Sequence, residues 1–194
     1  MKIGSNLPKI IHADLKGILK VDKIIDKSAK EVVDIWNTFH GSLSQSVSIA
    51  MNLKKHDLFI DRILENKLFM QPIIRNPEFF FLYSLLKDGC KFVTFHPMAG
   101  NVDDPESIDP SFILRIFDEL TESHGIYLIR GDVLDGSISK TEADIVMRGL
   151  IAHYVETDLY EDYVIPFNND LANFNHTKFL HDYFQRFGKK AEEQ

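Results

Sequence analysis

The fold is decided by residues Leu68 to Phe95, LFMQPIIRNPEFFFLYSLLKDGCKFVTF. Runs rich in aromatic and β-branched residues are separated by short turn clusters at Asn76-Pro77 and Lys87-Asp88-Gly89. Such runs favour strands, and turns this short join antiparallel neighbours. The stretch therefore predicts an antiparallel meander. Pro72 lies in the first run, and because proline has no N–H to donate, we expect it at a sheet edge or a bulge.

Helical patterns precede and follow this meander. Ser28 to Glu31 forms a capping box, and apolar residues then recur at helical spacing until Gly41. A second, less regular helical pattern covers residues 43–66. Asp109-Pro110 has the form of a helix start, and the apolar stripe from Phe112 to Leu120 predicts a helix that ends at His124-Gly125.

The C-terminal half alternates between the two kinds of pattern. Ile126 to Ile129 is predicted as a short buried strand, and a second capping box, Ser139 to Glu142, begins a helix. Tyr163 to Phe167 reads as a last strand and residues 176–187 as a terminal helix. The predicted fold class is α/β of the α+β type, a central, largely antiparallel β-sheet meander flanked by α-helices.

A length of 194 residues fits one domain. We expect a lysine-rich N-terminal helical segment over residues 1–27, a single domain over residues 28–187 and a charged tail over residues 188–194. The apolar residues of the first segment recur at helical spacing and predict an amphipathic helix that packs on the body, namely Leu7, Ile11, Leu15 and Ile18. A cleaved or missing presequence stays open as an alternative.

Composition argues against several classes of partner. The net charge of −7 disfavours a nucleic-acid binder, which needs a clustered basic face to neutralise phosphates. No apolar run approaches the roughly 18 residues that a membrane span requires, so no membrane insertion is expected. The lone Cys90 cannot form an internal disulfide, which favours a reducing compartment.

The stretch Arg130 to Glu142, RGDVLDGSISKTE, resembles several functional motifs at once. A calcium loop needs oxygen ligands where this chain has Gly131 and Val133. A phosphate loop needs a lysine where Ser137 stands. The first three residues spell a cell-adhesion tripeptide. Such a motif belongs on an extracellular protein, whereas the single cysteine favours a reducing compartment. The remaining interpretation is a strand, a turn and a capped helix.

Other signatures of catalysis are weak. The eight histidines include no pair at the i, i+4 spacing of a helical zinc site, and no serine lies in a Gly-x-Ser-x-Gly elbow. We therefore predict no metal, no cofactor and no catalytic residue. The chain is rich in phenylalanine, and Phe79, Phe80 and Phe81 on one strand must point to alternate faces. A ring that faces away from the main core is explained by helices that cover the second side of the sheet, and the alternative is a hydrophobic docking surface.

Motifs in a fixed order resemble the mitochondrial ATP synthase assembly-factor family that chaperones the catalytic β subunit. They are Ile35 to His40 (IWNTFH), Pro72-x-x-Arg75 followed by Glu78-Phe-Phe-Phe, Phe92 to Phe95 (FVTF), Glu119 to Asp132 (ELTESHGIYLIRGD), Glu142-Ala143, and Pro166 to Asn168 with Phe174-Asn175. The family usually has Pro-Leu-Pro-Arg where this chain has Pro72-Ile-Ile-Arg75. The resemblance runs from about residue 28 to residue 176.

The resemblance implies a non-catalytic chaperone of the mitochondrial matrix. Such a protein holds the free catalytic β subunit until the α subunit replaces it in the hexameric head of the enzyme. No cofactor is implied, and we expect a monomer. The candidate partner-binding residues are Arg75, Glu78, Phe80, Tyr83 and Trp36, with core packing as the alternative role for Trp36.

Two other functions stay open from the residues alone. A small α/β enzyme requires a pocket with converging titratable groups such as His96, Arg130 and Asp132. A scaffold with the same fold and a different protein partner is the other alternative.

Overall fold

The meander predicted from Leu68 to Phe95 is part of a larger antiparallel sheet. A computed structural model describes residues 14–75, 78–87, 91–98 and 108–188. The strands are β1 (Ser46–Asn52), β2 (Leu68–Arg75), β3 (Glu78–Lys87), β4 (Phe92–Pro97), β5 (Phe112–Phe117) and β6 (Ile126–Val133). Their order in the sheet is β1-β6-β5-β4-β3-β2. The meander thus continues from β2 to β6, and β1 and β2 are the edge strands.

Helices connect and cover these strands. They are α1 (Ala29–Gly41), α2 (Leu53–Glu65), α3 (Thr121–His124), α4 (Lys140–Val155), α5 (Thr157–Leu159), α6 (Ile165–Asn169) and α7 (His176–Phe187). A π-helix, Tyr160–Val164, joins α5 to α6. Both predicted capping boxes are confirmed. The side chains of Ser28 and Ser139 each accept from the backbone N–H of the glutamate three residues later, and the carboxylate of that glutamate accepts from the backbone N–H of the serine. The predicted terminal helix over residues 176–187 is confirmed as well.

The sheet has a hydrophobic core on each side. Side chains along a strand point alternately to its two sides, so each strand contributes to both. On what we call the α4 side, α2, α4 and α7 bury the larger core, which includes Phe69, Leu82, Phe95, Ile129, Leu150 and Phe179. On the α1 side, α1 and the chain from residue 14 bury a smaller core around Trp36, Phe117 and Leu128. This arrangement confirms the α+β class and the central antiparallel sheet.

The helix predicted from Asp109-Pro110 to His124-Gly125 is wrong over most of its length, because Phe112–Phe117 forms strand β5, but its last turn is confirmed as α3, which is capped by Gly125. Phe112, Leu114 and Ile116 belong to the core on the α4 side, whereas Phe117 belongs to the core on the α1 side. A central strand that is buried on both sides is apolar at nearly every position. A continuous apolar run of this kind is compatible with a helix as well as with a strand. Only the burial of this segment on both sides, which the fold creates, distinguishes the strand from the helix.

Two further predictions differ from the structure, the first in part and the second in full. The helical pattern over residues 43–66 contains strand β1 before helix α2 begins at Leu53. The strand predicted at Tyr163 to Phe167 is helical, since the π-helix runs directly into α6. Pro166 lies in the first turn of α6, where the missing N–H costs little. In both places the packing partners, not the local pattern, determine the backbone.

The N-terminal segment differs from the single amphipathic helix expected there. Its described part forms two short 3-10 helices, Leu15–Gly17 and Val21–Lys23. Leu15 is buried in the core on the α1 side, and its N–H donates to Oε1 of Glu119 at 2.9 Å. Leu7 and Ile11 lie outside the described residues.

Candidate protein-binding surface

Five apolar side chains of β2 and β3 share the α1 side of the sheet. The register pairs Ile74 with Phe79, Pro72 with Phe81, Met70 with Tyr83 and Leu68 with Leu85. Alternation along the strands therefore places the odd-numbered residues of β3 and the even-numbered residues of β2 on one side. We call the surface formed by Ile74, Phe79, Phe81, Tyr83 and Leu85 the aromatic face.

The aromatic face retains exposed apolar area. Phe79 is 53% exposed, and the other four side chains are half-buried. The rings of Phe79 and Phe81 meet edge to face with their centroids 5.6 Å apart. Helix α1 packs on β1 and β6 at the other end of this side, while α4 and α7 pack on the opposite side of β2. A contiguous apolar patch of this kind is typical of protein-binding sites.

Arg75 at the end of β2 ties the sheet to the start of α4. Its Nε and Nη2 atoms donate to the two carboxylate oxygens of Glu142 at 2.7 and 3.0 Å, and Nη2 also donates to the carbonyl oxygen of Ser137 at 2.6 Å. The hydrogen bonds with Glu142 raise the pKa of Arg75. Burial acts to raise the pKa of Glu142, but its hydrogen bonds with Arg75 and Ser139 outweigh burial and lower it.

The predicted site residues fall into three places. Glu78 is exposed and pairs in register with Arg75, at one end of the aromatic face. Phe80 points to the α4 side, where the Arg75 guanidinium lies 5.2 Å above its ring. Tyr83 belongs to the aromatic face, and burial raises the pKa of its hydroxyl. The structure therefore brings these four residues to the same pair of strands, although Phe80 faces the core.

Trp36 lies elsewhere, inside the core on the α1 side. Its side chain is fully buried, and its Nε1 donates to the carbonyl oxygen of Ile129 at 3.1 Å. Its ring meets Phe117 edge to face at a centroid distance of 5.7 Å. In this conformation Trp36 presents no atoms to a partner.

Sequence reasoning missed Phe79 and Phe81 as surface residues. The run of three phenylalanines shows that one or two rings must leave the core, but not which. The signal lies in the pairing with β2, which places Phe80 on the α4 side with Ile73 and Phe81 on the α1 side with Pro72. That register is a property of the folded sheet, so the sequence of β3 alone does not contain it.

The groups proposed for an alternative enzyme lie on two strands that are not neighbours, β4 and β6. Arg130 donates from Nε and Nη2 to the carboxylate of Asp132, and Ser46 donates to the same carboxylate at 2.6 Å. His96 lies on β4, where its ring contacts the Ile108 carbonyl and Thr94. The strand order places β5 between β4 and β6. Arg130 and Asp132 therefore form a structural ion pair on β6.

The stretch after β6 is a strand, a turn and a capped helix, as predicted. Asp135 accepts from the Ser137 N–H at 2.8 Å, and Gly136 has a φ of 72°, which glycine adopts without strain. Gly131 and Asp132 of the adhesion-like tripeptide are buried within β6. In the described parts of the chain, no group of three or more histidine, cysteine, aspartate or glutamate side chains has the arrangement of a metal site.

The fold and this surface define an α+β domain with an exposed aromatic face suited to contact with another protein. The ATP11 protein family model matches residues 5–181, so the chain belongs to that family, the mitochondrial F1 ATP synthase assembly factors. Membership assigns the chain to ATP synthase F1 assembly and implies a mitochondrial location. No match was found among curated proteins. None of the helices within the described ranges is long and apolar enough to cross a membrane.

Proposed function

We propose that this protein holds the free catalytic β subunit of ATP synthase in the mitochondrial matrix and yields it to the α subunit during assembly of the hexameric head. It acts by binding alone, as a monomer and without a cofactor. The aromatic face is the contact surface. The observation that carries the proposal is that exposed phenylalanine side chains share one side of β2 and β3 in a member of an assembly-factor family.

The chemistry of the aromatic face suits temporary protection of a subunit interface. An unassembled subunit exposes apolar surface that promotes aggregation, and covering it with aromatic side chains removes that surface from water. Full burial of a phenylalanine contributes about 1.5–3 kcal/mol. A few such residues give a moderate affinity, which a partner with a larger interface overcomes by competition.

Charged groups at the ends of β2 and β3 border the aromatic face from the α4 side and supply orientation. Glu78 is exposed next to Phe79 on β3, and the Arg75 side chain is 49% exposed although it binds Glu142. Polar groups at the rim of an interface contribute more to register and association rate than to affinity. In the proposed complex, Arg75 and Glu78 therefore fix the orientation of the β subunit, while the rings supply the affinity.

The test is capture of purified β subunit by variants of the aromatic face. We expect Phe79→Ala and Phe81→Ala each to weaken binding about tenfold, and the double variant more, because the rings act as anchors. Leu171→Ala is the matched control, since Leu171 is 55% exposed and belongs to neither β2 nor β3. Thermal melting confirms that each variant is folded.

Three outcomes decide the proposal. Weakening confined to Phe79 and Phe81 supports it. Equal weakening by Leu171→Ala shows that general hydrophobicity drives capture and contradicts a defined surface. Tight binding of a different mitochondrial protein, with no capture of β subunit, favours the scaffold alternative.

A further inference from the structure

Edge strand β1 forms the floor of a groove on the opposite edge of the sheet from β2. The groove has a volume of about 990 Å³ and lies between α1 and α4, with α2 and α7 at its ends. Asn37 and Ser48 line it on the α1 side, whereas Ile49, Ile145 and Ile151 line it on the α4 side. We call it the edge groove.

The backbone of β1 presents unpaired hydrogen-bonding groups to the edge groove. The Val133 N–H donates to the Gln45 carbonyl at 2.9 Å, so the odd-numbered residues of β1 exchange hydrogen bonds with β6. The N–H and C=O groups of Ser46, Ser48 and Ala50 therefore point away from the sheet. In the part of the chain that the structure describes, no protein group pairs with them.

The other sheet edge is protected. The Met98 N–H donates to the Phe81 carbonyl, so the odd-numbered residues of β3 bond to β4 and the even-numbered ones bond to the odd-numbered residues of β2. The backbone N–H and C=O groups of the even-numbered residues of β2 therefore point away from the sheet. One of these is Pro72, which has no N–H to offer, so the expectation that it lies at an edge is confirmed. Another is Leu68, whose carbonyl accepts from Nδ2 of Asn168 at 2.8 Å. Proteins commonly block exposed edges in this way.

Strand β1 carries none of these protective devices. Its sequence, SVSIAMN, contains no proline, lysine or other charged residue. An exposed edge without such residues is a template for another strand. Because β1 is flanked by helices on both sides, it admits a single extended chain better than the flat edge of another sheet.

The charge of the edge groove is opposite to that of the whole chain. Its charged lining residues are four cations, Lys55, Lys140, Arg148 and Arg186, and two carboxylates, Asp144 and Glu156. The chain as a whole has a net charge of −7. Arg148 and Arg186 pair with the two carboxylates, and Lys140 binds the carbonyl oxygens at the end of α1. Lys55 forms no ion pair among the described residues, so its charge is available to a ligand.

We infer that the edge groove binds an extended acidic segment of a partner protein, which adds to β1 as a seventh strand of the sheet. Main-chain hydrogen bonds to Ser48 and Ala50 supply the pairing, whereas Ser46 is only 2% exposed and lies at the closed end of the edge. Every second side chain of the segment faces α4, where apolar side chains contact Ile145 and Ile151 and acidic side chains meet the excess positive charge. The alternate side chains face Asn37 and Ser48 on the α1 side and are small and polar.

The dimensions set the length of this segment. Strand β1 has seven residues and spans about 23 Å at the usual rise of a strand. An added strand of five to seven residues thus fills the edge. The site lies at the opposite edge of the sheet from the aromatic face, so the inference goes beyond the proposed function and does not depend on it.

The probe is a fluorescein-labelled peptide of about nine residues in which threonine alternates with valine and glutamate, so that valine and glutamate share the side that faces α4. We expect saturable binding to the full-length protein by fluorescence anisotropy. A peptide with lysine in place of glutamate should bind more weakly because of the groove's charge. A peptide with N-methylated amides at alternate residues should not bind, since methylation removes the donors of strand pairing.

Protein variants test the two halves of the inference separately. Ser48→Pro removes one outward N–H and leaves the bonds to β6 intact, so we expect at least tenfold weaker binding. Ser48→Ala is its control, because both variants lose the hydrogen bond from Ser48 Oγ to Asn37. Lys55→Glu should weaken binding about two- to fivefold, the usual range for a surface charge, whereas Lys54→Glu on the same helical turn and outside the groove should not.

Several results would overturn the inference. They are no binding of the acidic peptide, equal binding of the N-methylated peptide, and equal binding by Ser48→Pro when circular dichroism shows it to be folded. A dimer of the protein alone, lost on Ser48→Pro in sedimentation velocity, would assign the edge to a second copy instead. None of these results affects capture of β subunit through Phe79 and Phe81, so the two proposals fail independently.

Discussion

His153 shows how burial of one side chain makes the fold sensitive to pH. It lies between α4 and α7, where its ring stacks on Tyr183, and its Nδ1 pairs with the Gly149 carbonyl at 2.7 Å. Burial lowers its pKa from 6.5 to about 4, with Arg186 acting in the same direction and the bond to Gly149 opposing it. The unfolded chain therefore binds a proton below about pH 6.5 that the folded chain does not take up until about pH 4.

This difference predicts a loss of stability on acidification. Between about pH 7 and about pH 5 the contribution of His153 falls by about 2 kcal/mol, because the pKa is lower in the folded state. Urea denaturation at the two pH values measures this change in the free energy of unfolding. We expect His153→Phe to remove this part of the pH dependence, while His40 and His56, whose pKa values are also lowered by burial, titrate in both proteins. An unchanged slope in the variant would contradict the prediction.

Gly131 shows a different constraint, one of space. A Cβ at this position would lie 2.5 Å from Cζ of Phe112 and 2.8 Å from Cγ2 of Val47. We expect Gly131→Ala to destabilise the protein by about 1–3 kcal/mol through overpacking. Gly41→Ala is the control, since nothing lies within 4 Å of its Cβ position. Equal unfolding free energies for the two variants would show that β5 and β6 adjust without cost.

The tie between the end of β2 and the start of α4 is the clearest link between two elements. Arg75 binds Glu142, and Glu142 closes the capping box of Ser139. The pair is partly exposed, with side-chain exposures of 49% and 16%, so solvent screens its charges. A bidentate geometry nevertheless fixes the position of the α4 N-terminus against the sheet.

We expect Arg75→Ala to lower the free energy of unfolding by about 1–2 kcal/mol, because it leaves Glu142 without its guanidinium partner. Glu78→Ala, which removes an exposed charge in register with Arg75, should change stability by less than about 0.5 kcal/mol. Chemical denaturation measures both. If Arg75→Ala left stability unchanged, Arg75 would not be a structural tie, and any loss of capture of β subunit would come from its contact with the client alone.

The elements that could be predicted from sequence are those with local signals. Ser28 and Ser139 specify their helices through caps that operate within four residues, and the turns of the meander specify β2 to β4. Strand β5 could not be predicted, because Phe112–Phe117 is apolar toward two cores that are brought together only by the fold. The aromatic face was half predicted: Tyr83 lies on it, but the choice of Phe79 and Phe81 over Phe80 depends on pairing with β2.

At the scale of the whole molecule, the two proposed binding surfaces lie at opposite edges of one sheet. The aromatic face lies on β2 and β3, and the edge groove lies on β1. Phe79 and its neighbours offer apolar area for a subunit interface, and the edge offers main-chain pairing for an extended segment. A protein that engages a client at both places binds it more tightly than either contact allows and still releases it to a competitor.

Competition between the α subunit and this protein for free β subunit tests the proposed function most directly. Immobilised protein is saturated with purified β subunit, and α subunit is then added without nucleotide. We expect β subunit to dissociate as α subunit is added, and the assembled head not to bind, because assembly buries the surface that the aromatic face contacts. Phe79→Ala should release β subunit at lower concentrations of α subunit. Retention of β subunit at saturating α subunit, or equal binding of the assembled head, would contradict the proposal.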